Sequence, residues 1–187
     1  MKILAISDRP PRENIKSILS KNKVDLICTL GDLEEYDIAD LASINDIPKL
    51  GVYGNHCTVG YLENLGILNM HLKVFEFNGF TFGGFEGSVR YKQDRYARMY
   101  AQEEASEMLK NFPRVDVMLV HCPSYGINDE PDSLAHQGFV GLLEYIQKHQ
   151  PKYLLHGHTY PNSQNLVTKY GNTEIIYVFQ DRLVDIM

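Results

Sequence analysis

The sequence predicts an α/β fold in which two mixed β-sheets pack together with helices outside. Three observations lead there. Short apolar runs alternate with helical stretches at the N-terminus, an Asn-Gly hairpin signal stands in the middle, and buried-type strands return toward the C-terminus. With 187 residues, 44% hydrophobic and 22% charged, the chain suits a single domain over 1–187 with one sizeable core.

The elements follow in order. KILAI (2–6) is a short apolar strand, a helical stretch covers about 12–22, and VDLICTL (24–30) is a second strand. Residues 35–43 read as helical and PKLGVY (48–53) as a third strand, completing a parallel βαβαβ unit. LKVFEFNGFTFGGF (72–85) alternates on both sides of Asn78-Gly79, the strongest short-range hairpin signal. A long helix is expected over about 94–111. VDVMLV (115–120) and KYLL (152–155) are buried-type strands separated by a loop and a helix near 139–149. Residues 165–186 add two or three strands, with Gly171-Asn172 as a turn.

The net charge of −6, with no long basic run, argues against a nucleic-acid polymer as partner. No stretch reaches the roughly 20 apolar residues that a spanning helix needs, so no membrane is expected. Cys28, Cys57 and Cys122 are widely spaced without a CxxC. That reads as reduced thiols in a cytoplasmic protein rather than a disulfide framework or a structural zinc site. The composition leaves an oligomer open.

Polar residues fall in a pattern. KILAI runs into Ser7-Asp8, DLICTL into Gly31-Asp32, KLGVY into Gly54-Asn55-His56, VDVMLV into His121, and KYLL into His156-Gly157-His158. The carboxyl edge of an α/β sheet is where loops converge on ligands. Asp, Asn and His together are oxygen and imidazole donors suited to Mn, Fe, Zn or Ni. Glycines beside Asp32, Asn55 and His158 let the backbone turn close to such a centre. Each residue has a plainer reading: a turn for Gly31-Asp32, a helix cap for Asp8, and a satisfied polar residue for a strand-end histidine. Five such coincidences at five buried strands favour a metal site.

The order of Asp8, GD, GNH, a lone His and GH resembles the calcineurin-like metallophosphoesterase superfamily, in a small single-domain form of bacterial, archaeal or phage type. FEGSVRY (85–91) and HCPSYGINDEPDSLAHQGF (121–139) extend the likeness over almost the whole chain. The resemblance implies an αββα sandwich and a metal-dependent phosphoesterase in which a metal-bound hydroxide attacks a phosphodiester or small phosphomonoester. It implies that Asp32, Asn55, His121 and His158 hold one metal firmly, Mn being favoured for activity. Asp8 and Asp32 would serve a second, weaker one. Two positions depart from the family: Pro10 stands at the histidine of D-x-H, and Tyr160 at the last histidine of GH-x-H.

His56, in GNH, is the expected proton donor or transition-state stabiliser, and Asp8 the residue that orients water. Arg9 and Arg90 are expected at the substrate phosphate, with a solvated loop and a salt bridge as their alternatives. Tyr160, His156, Cys57 and Cys122 are expected to pack or hydrogen-bond beside the site, and His136 to border the cleft. The partner expected is a small phosphorylated substrate. The competing function is a degenerate family member that binds metal or a partner without turnover, supported by the two missing histidines.

Overall fold

The computed structural model describes residues 1–94 and 96–187. Its strands in chain order are β1 (Lys2–Ser7), β2 (Leu26–Thr29), β3 (Lys49–Gly51), β4 (Leu68–Asn69), β5 (Val74–Phe77), β6 (Phe80–Phe85) and β7 (Ser88–Val89). They continue as β8 (Met99–Tyr100), β9 (Val117–Val120), β10 (Tyr153–His156), β11 (Lys169–Tyr170), β12 (Thr173–Tyr177) and β13 (Gln180–Asp185). The α-helices are α1 (Ile15–Lys21), α2 (Tyr61–Asn64), α3 (Gln102–Lys110) and α4 (Val140–His149), with a 3₁₀ helix over Glu35–Ser43.

One sheet has the order β13-β1-β2-β3-β4 and the other β11-β12-β10-β9-β6-β5. Both are mixed. β1, β2, β3 and β4 run parallel while β13 runs antiparallel to β1. β6, β9, β10 and β12 run parallel, with β5 and β11 antiparallel at the edges. β7 and β8 form a separate short parallel pair.

The two-residue period of a strand sends alternate side chains to opposite faces. Ile3 and Ala5 of β1 meet Val117 and Leu119 of β9 in the core between the sheets. Leu4 and Ile6 instead face α1 and the 3₁₀ helix, with Ile15, Ile18, Ile38 and Leu41. Met118 and Val120 face α3 and α4, with Ala105, Leu109, Leu142 and Ile146. Four layers result: helices, sheet, sheet, helices. This is the expected two-sheet α/β architecture.

Local chemistry moved several boundaries. Asn14 caps α1 by accepting from the amides of Lys16 and Ser17, so the helix expected over 12–22 starts later and Asp8 is released from a capping role. Asn78 and Gly79 both take left-handed φ, 47° and 79°, as a two-residue hairpin turn requires. The helix expected over 94–111 is corrected to Gln102–Lys110; Arg95 lies outside the described residues. Asp94 accepts from the amides of Tyr96 and Ala97 at 3.0 and 3.3 Å, holding a turn, and Met99–Tyr100 pairs with Ser88–Val89. The helix then starts where Glu104 accepts from the Ala101 amide at 2.8 Å.

Leu119 is fully buried between the sheets. Leu119→Ala should cost about 2–5 kcal/mol of unfolding free energy in urea titration. A cost below about 1 kcal/mol would contradict its place in that core.

Candidate metal centre

Parallel β1, β2 and β3 of one sheet, and β9 and β10 of the other, deliver their carboxyl ends to one edge of the sandwich. Three residues there, Asp8, Asp32 and His158, have φ of 65°, 51° and 69°. The left-handed region is uncommon for residues with a side chain, and such residues concentrate at functional sites. Glycines let the loops approach. A Cβ on Gly54 would lie 2.1 Å from Asp32 Oδ1, and one on Gly157 would lie 2.0 Å from Ser7 Oγ and 2.4 Å from Asp8 Oδ2.

The geometry centres on His121, which is fully buried. Its Nδ1 lies 2.8 Å from the Leu30 carbonyl. A carbonyl only accepts, so Nδ1 carries the proton and Nε2 points inward with a lone pair. His158 mirrors it: Nε2 lies 2.8 Å from the Ala135 carbonyl, leaving Nδ1 to face inward. His121 Nε2 then stands 3.1 Å from His158 Nδ1, 3.1 Å from Asn55 Oδ1 and 3.4 Å from Asp32 Oδ2. With neutral rings, four acceptors face one another with no donor among them. A cation or an extra proton must sit there. Ligand atoms of Asp32, His121 and His158 all lie within 4.8 Å of one another. The carboxylate, amide and two imidazoles fit a divalent transition metal.

Electrostatics agree. Burial opposes charge on His121, but the charge and hydrogen bond of Asp32 outweigh it and lift the imidazole to about 9. Burial and the charge of His121 press His158 down to about 3. Burial would raise Asp32, yet His121 holds it well below the usual carboxylate range. Burial raises Asp8, both of whose carboxyl oxygens accept from the His158 amide, at 3.0 and 3.1 Å.

The surrounding contacts fix these groups. Cys57 Sγ accepts from the amides of Asp32 and Gly54, at 3.1 and 3.0 Å, so one sulfur ties two strand-end loops. Burial pushes its thiol up to about 11, which keeps it neutral. Cys122 is buried and donates to the Gln137 carbonyl. His156 is buried, accepts from Asn128 Nδ2 at 2.9 Å and is pressed down to about 4 by burial. Asn128 also receives the Thr159 hydroxyl on its carbonyl and the Val167 amide on its side chain. The 121–139 loop thereby braces the His158 turn.

A cleft of about 490 Å³ reaches the centre at Asp32 and is lined by Asp8, Arg9, Pro10, Asp32, Glu34, Tyr36, Asp37, His56 and Tyr160. His56 is exposed, and its amide donates to Asp32 Oδ1 at 2.7 Å. Tyr160 is 54% exposed and packs edge-on against His136 and Phe179, with ring centres 6.1 and 5.7 Å away. Asp8, Arg9, Asp32, Asn55, His56, His121 and His158 are thus brought to one place. Arg90 is not: Glu104 holds its guanidinium at 2.7 Å, and it does not line the cleft. The salt bridge given as its alternative is what forms. Sequence reasoning missed the carbonyls of Leu30 and Ala135, Asn128, and Tyr91, whose hydroxyl lies 3.2 Å from His56 Nε2.

A two-sheet α/β sandwich that gathers carboxylate, amide and imidazole at its strand ends defines a candidate metalloprotein. The family profile described as calcineurin-like phosphoesterase matches residues 1–162, and the chain belongs to that family. No curated protein matches it. One solved crystal structure superposes with a TM-score of 0.66 at 17% identity, covering 94% of this chain and 89% of the other. The crystal structure of TT1561 of Thermus thermophilus superposes with a TM-score of 0.63 at 18% identity, covering 94% and 88%. These two likenesses are of fold. Membership in the family implies metal-dependent phosphoester hydrolysis. No helix among the described residues is long and apolar enough to cross a membrane.

Gly54→Ala should displace Asp32 and lower the metal content of purified protein severalfold, read by elemental analysis, while circular dichroism reports an intact fold. Full metal content in this variant would contradict the close approach of the two loops.

Proposed function

We propose that the chain is a metal-dependent phosphoesterase acting on phosphodiesters or small phosphomonoesters. The observation that carries this reading is the set of four inward-facing acceptors on Asp32, Asn55, His121 and His158, opening to a cleft. These four residues would hold one divalent ion firmly, Mn, Fe, Zn or Ni, with Mn favoured for activity. When bound, such an ion neutralises phosphoryl charge and lowers the pKa of its water toward neutrality.

The chain's own groups supply the rest. Arg9, on the cleft wall, binds phosphate oxygens, and Asp8 orients the attacking water. His56 donates to the leaving oxygen. Arg90 has no part in this reading, because Glu104 holds it. Asp8 and Asp32 offer only two carboxylates to a second ion, and Pro10 and Tyr160 occupy positions where the family has histidines. A second ion would accordingly be held weakly by Asp8 and Asp32. Carboxylates outnumber cations in the cleft, with Asp8, Asp32, Glu34 and Asp37 against Arg9, so a long polyanion is disfavoured. Residues 1–187 form one domain in this reading, since β12 and β13 extend both sheets. The three free cysteines suit the cytoplasm.

Two measurements test this. Hydrolysis of a generic aryl phosphodiester should appear with added Mn²⁺ and vanish in a chelated sample. Equal rates in both would end the metal-dependent reading, and no hydrolysis in either would favour the non-catalytic binder. On a phosphodiester with an alkyl leaving group, His56→Asn should lower kcat by about 10²-fold with little change in KM. Near-normal turnover would leave this histidine no chemical role.

A further inference from the structure

His56 lines the cleft, and Tyr91 is not among the residues that line it. Among the described residues the Tyr91 hydroxyl is the one hydrogen-bond partner of the His56 side chain, at 3.2 Å from Nε2. The converse also holds: His56 Nε2 is the one hydrogen-bond partner of the Tyr91 hydroxyl among those residues. A phenol O–H is a strong donor, and a neutral imidazole lone pair is a strong acceptor. A hydroxyl that donates to Nε2 keeps the ring proton on Nδ1, because the hydrogen bond at one ring nitrogen sets the tautomer at the other.

The ring has little else to hold it. The His56 backbone is anchored by the hydrogen bond its amide donates to Asp32 Oδ1, but the side chain is exposed. Tyr91 is better placed to act as a support. It is half-buried two residues beyond the end of β7, and Lys92 Nζ lies over its ring at 5.4 Å from the centre. The adjoining Arg90 is tied to Glu104 and to the Met99 carbonyl. Tyr91, two residues past β7, thus brings a hydroxyl to Nε2 of the cleft histidine.

We propose that Tyr91 is a positioning residue that fixes His56 in its Nδ1–H tautomer, with Nδ1–H turned toward the leaving oxygen of the phosphoester. This rests on the phosphoesterase reading and adds a residue to it. As the phosphorus–oxygen bond breaks, the electron pair stays on the leaving oxygen, and Nδ1 gives that oxygen its proton. The Tyr91 hydroxyl proton moves onto Nε2 in the same step. The leaving group departs as a neutral alcohol and His56 stays neutral but as the Nε2–H tautomer against the Tyr91 phenolate; the resting state returns when Nδ1 takes a proton from solvent and Nε2 gives its own back to Tyr91.

Such support matters most when the leaving oxygen is strongly basic and hardly at all when it is acidic. The experiment compares Mn-loaded wild type and Tyr91→Phe on phosphodiesters whose leaving groups run from 4-nitrophenol through phenol to a simple alcohol. Tyr91→Phe should keep kcat within about twofold on the 4-nitrophenyl ester and lose about tenfold or more on the alkyl ester, with KM unchanged. Equal losses along the series would reduce Tyr91 to general support of the fold and overturn the inference. Nitrogen NMR of the His56 ring in zinc-loaded protein provides a readout independent of turnover. The wild type should show the Nδ1–H tautomer, and Tyr91→Phe should relax toward Nε2–H. Hydrolysis by a wild type whose His56 is the Nε2–H tautomer overturns the role of Tyr91 alone. Absence of hydrolysis by the wild type on every ester overturns the phosphoesterase reading and this inference with it.

Discussion

Two imidazole nitrogens held 3.1 Å apart, each with its ring proton committed to a backbone carbonyl on the far side, are the constraint on which the rest of the site depends. Lone pairs so close repel unless positive charge lies between them, and Asn55 and Asp32 add two oxygens to the same face. The protein builds this arrangement at a cost in backbone strain, with Asp8, Asp32 and His158 all left-handed. It secures the two rings through main-chain carbonyls, which do not depend on any further side chain. The same logic gives Cys57 its place, since its sulfur joins the Asp32 and Gly54 amides and keeps two loops in register.

The sandwich exists to hold those loops. Inner faces such as Ile3, Ala5, Val117 and Leu119 lock one sheet against the other, so strand ends that are distant in sequence meet at a fixed separation. Leu30, at the end of β2 in the first sheet, accepts from His121 at the end of β9 in the second. One hydrogen bond therefore bridges the two halves at the centre itself. Packing between the sheets and ligand geometry are coupled through it.

Much of this was legible in the residues. Asp, Asn and His following short apolar runs marked five strand ends, and the alternation around Asn78-Gly79 marked the hairpin, because both signals reflect periodicities that the structure obeys. What escaped was local or main-chain chemistry. The turn held by Asp94 competes with helix over a segment whose composition suits a helix, and strands of two residues such as β4, β7 and β8 are too short to show a period. Arg90 carried a motif position but had an acidic partner fourteen residues on, which no pattern disclosed. The Leu30 and Ala135 carbonyls leave no trace in a sequence, and Tyr91 meets His56 across a separation of thirty-five residues that contains α2 and β4 to β7. Tyr160 stands in the GH-x-H position by sequence; its exposure and its packing on Phe179 became visible only in three dimensions.

The central claim is that Asp32, Asn55, His121 and His158 surround a metal ion. Crystals grown from protein purified with Mn²⁺, with diffraction recorded above and below the manganese absorption edge, test it most directly. A single strong anomalous peak is expected among Asp32 Oδ2, Asn55 Oδ1, His121 Nε2 and His158 Nδ1, with any second peak near Asp8 much weaker. Protein crystallised under those conditions with no anomalous density between the two imidazoles, or with its strongest peak elsewhere, would contradict it.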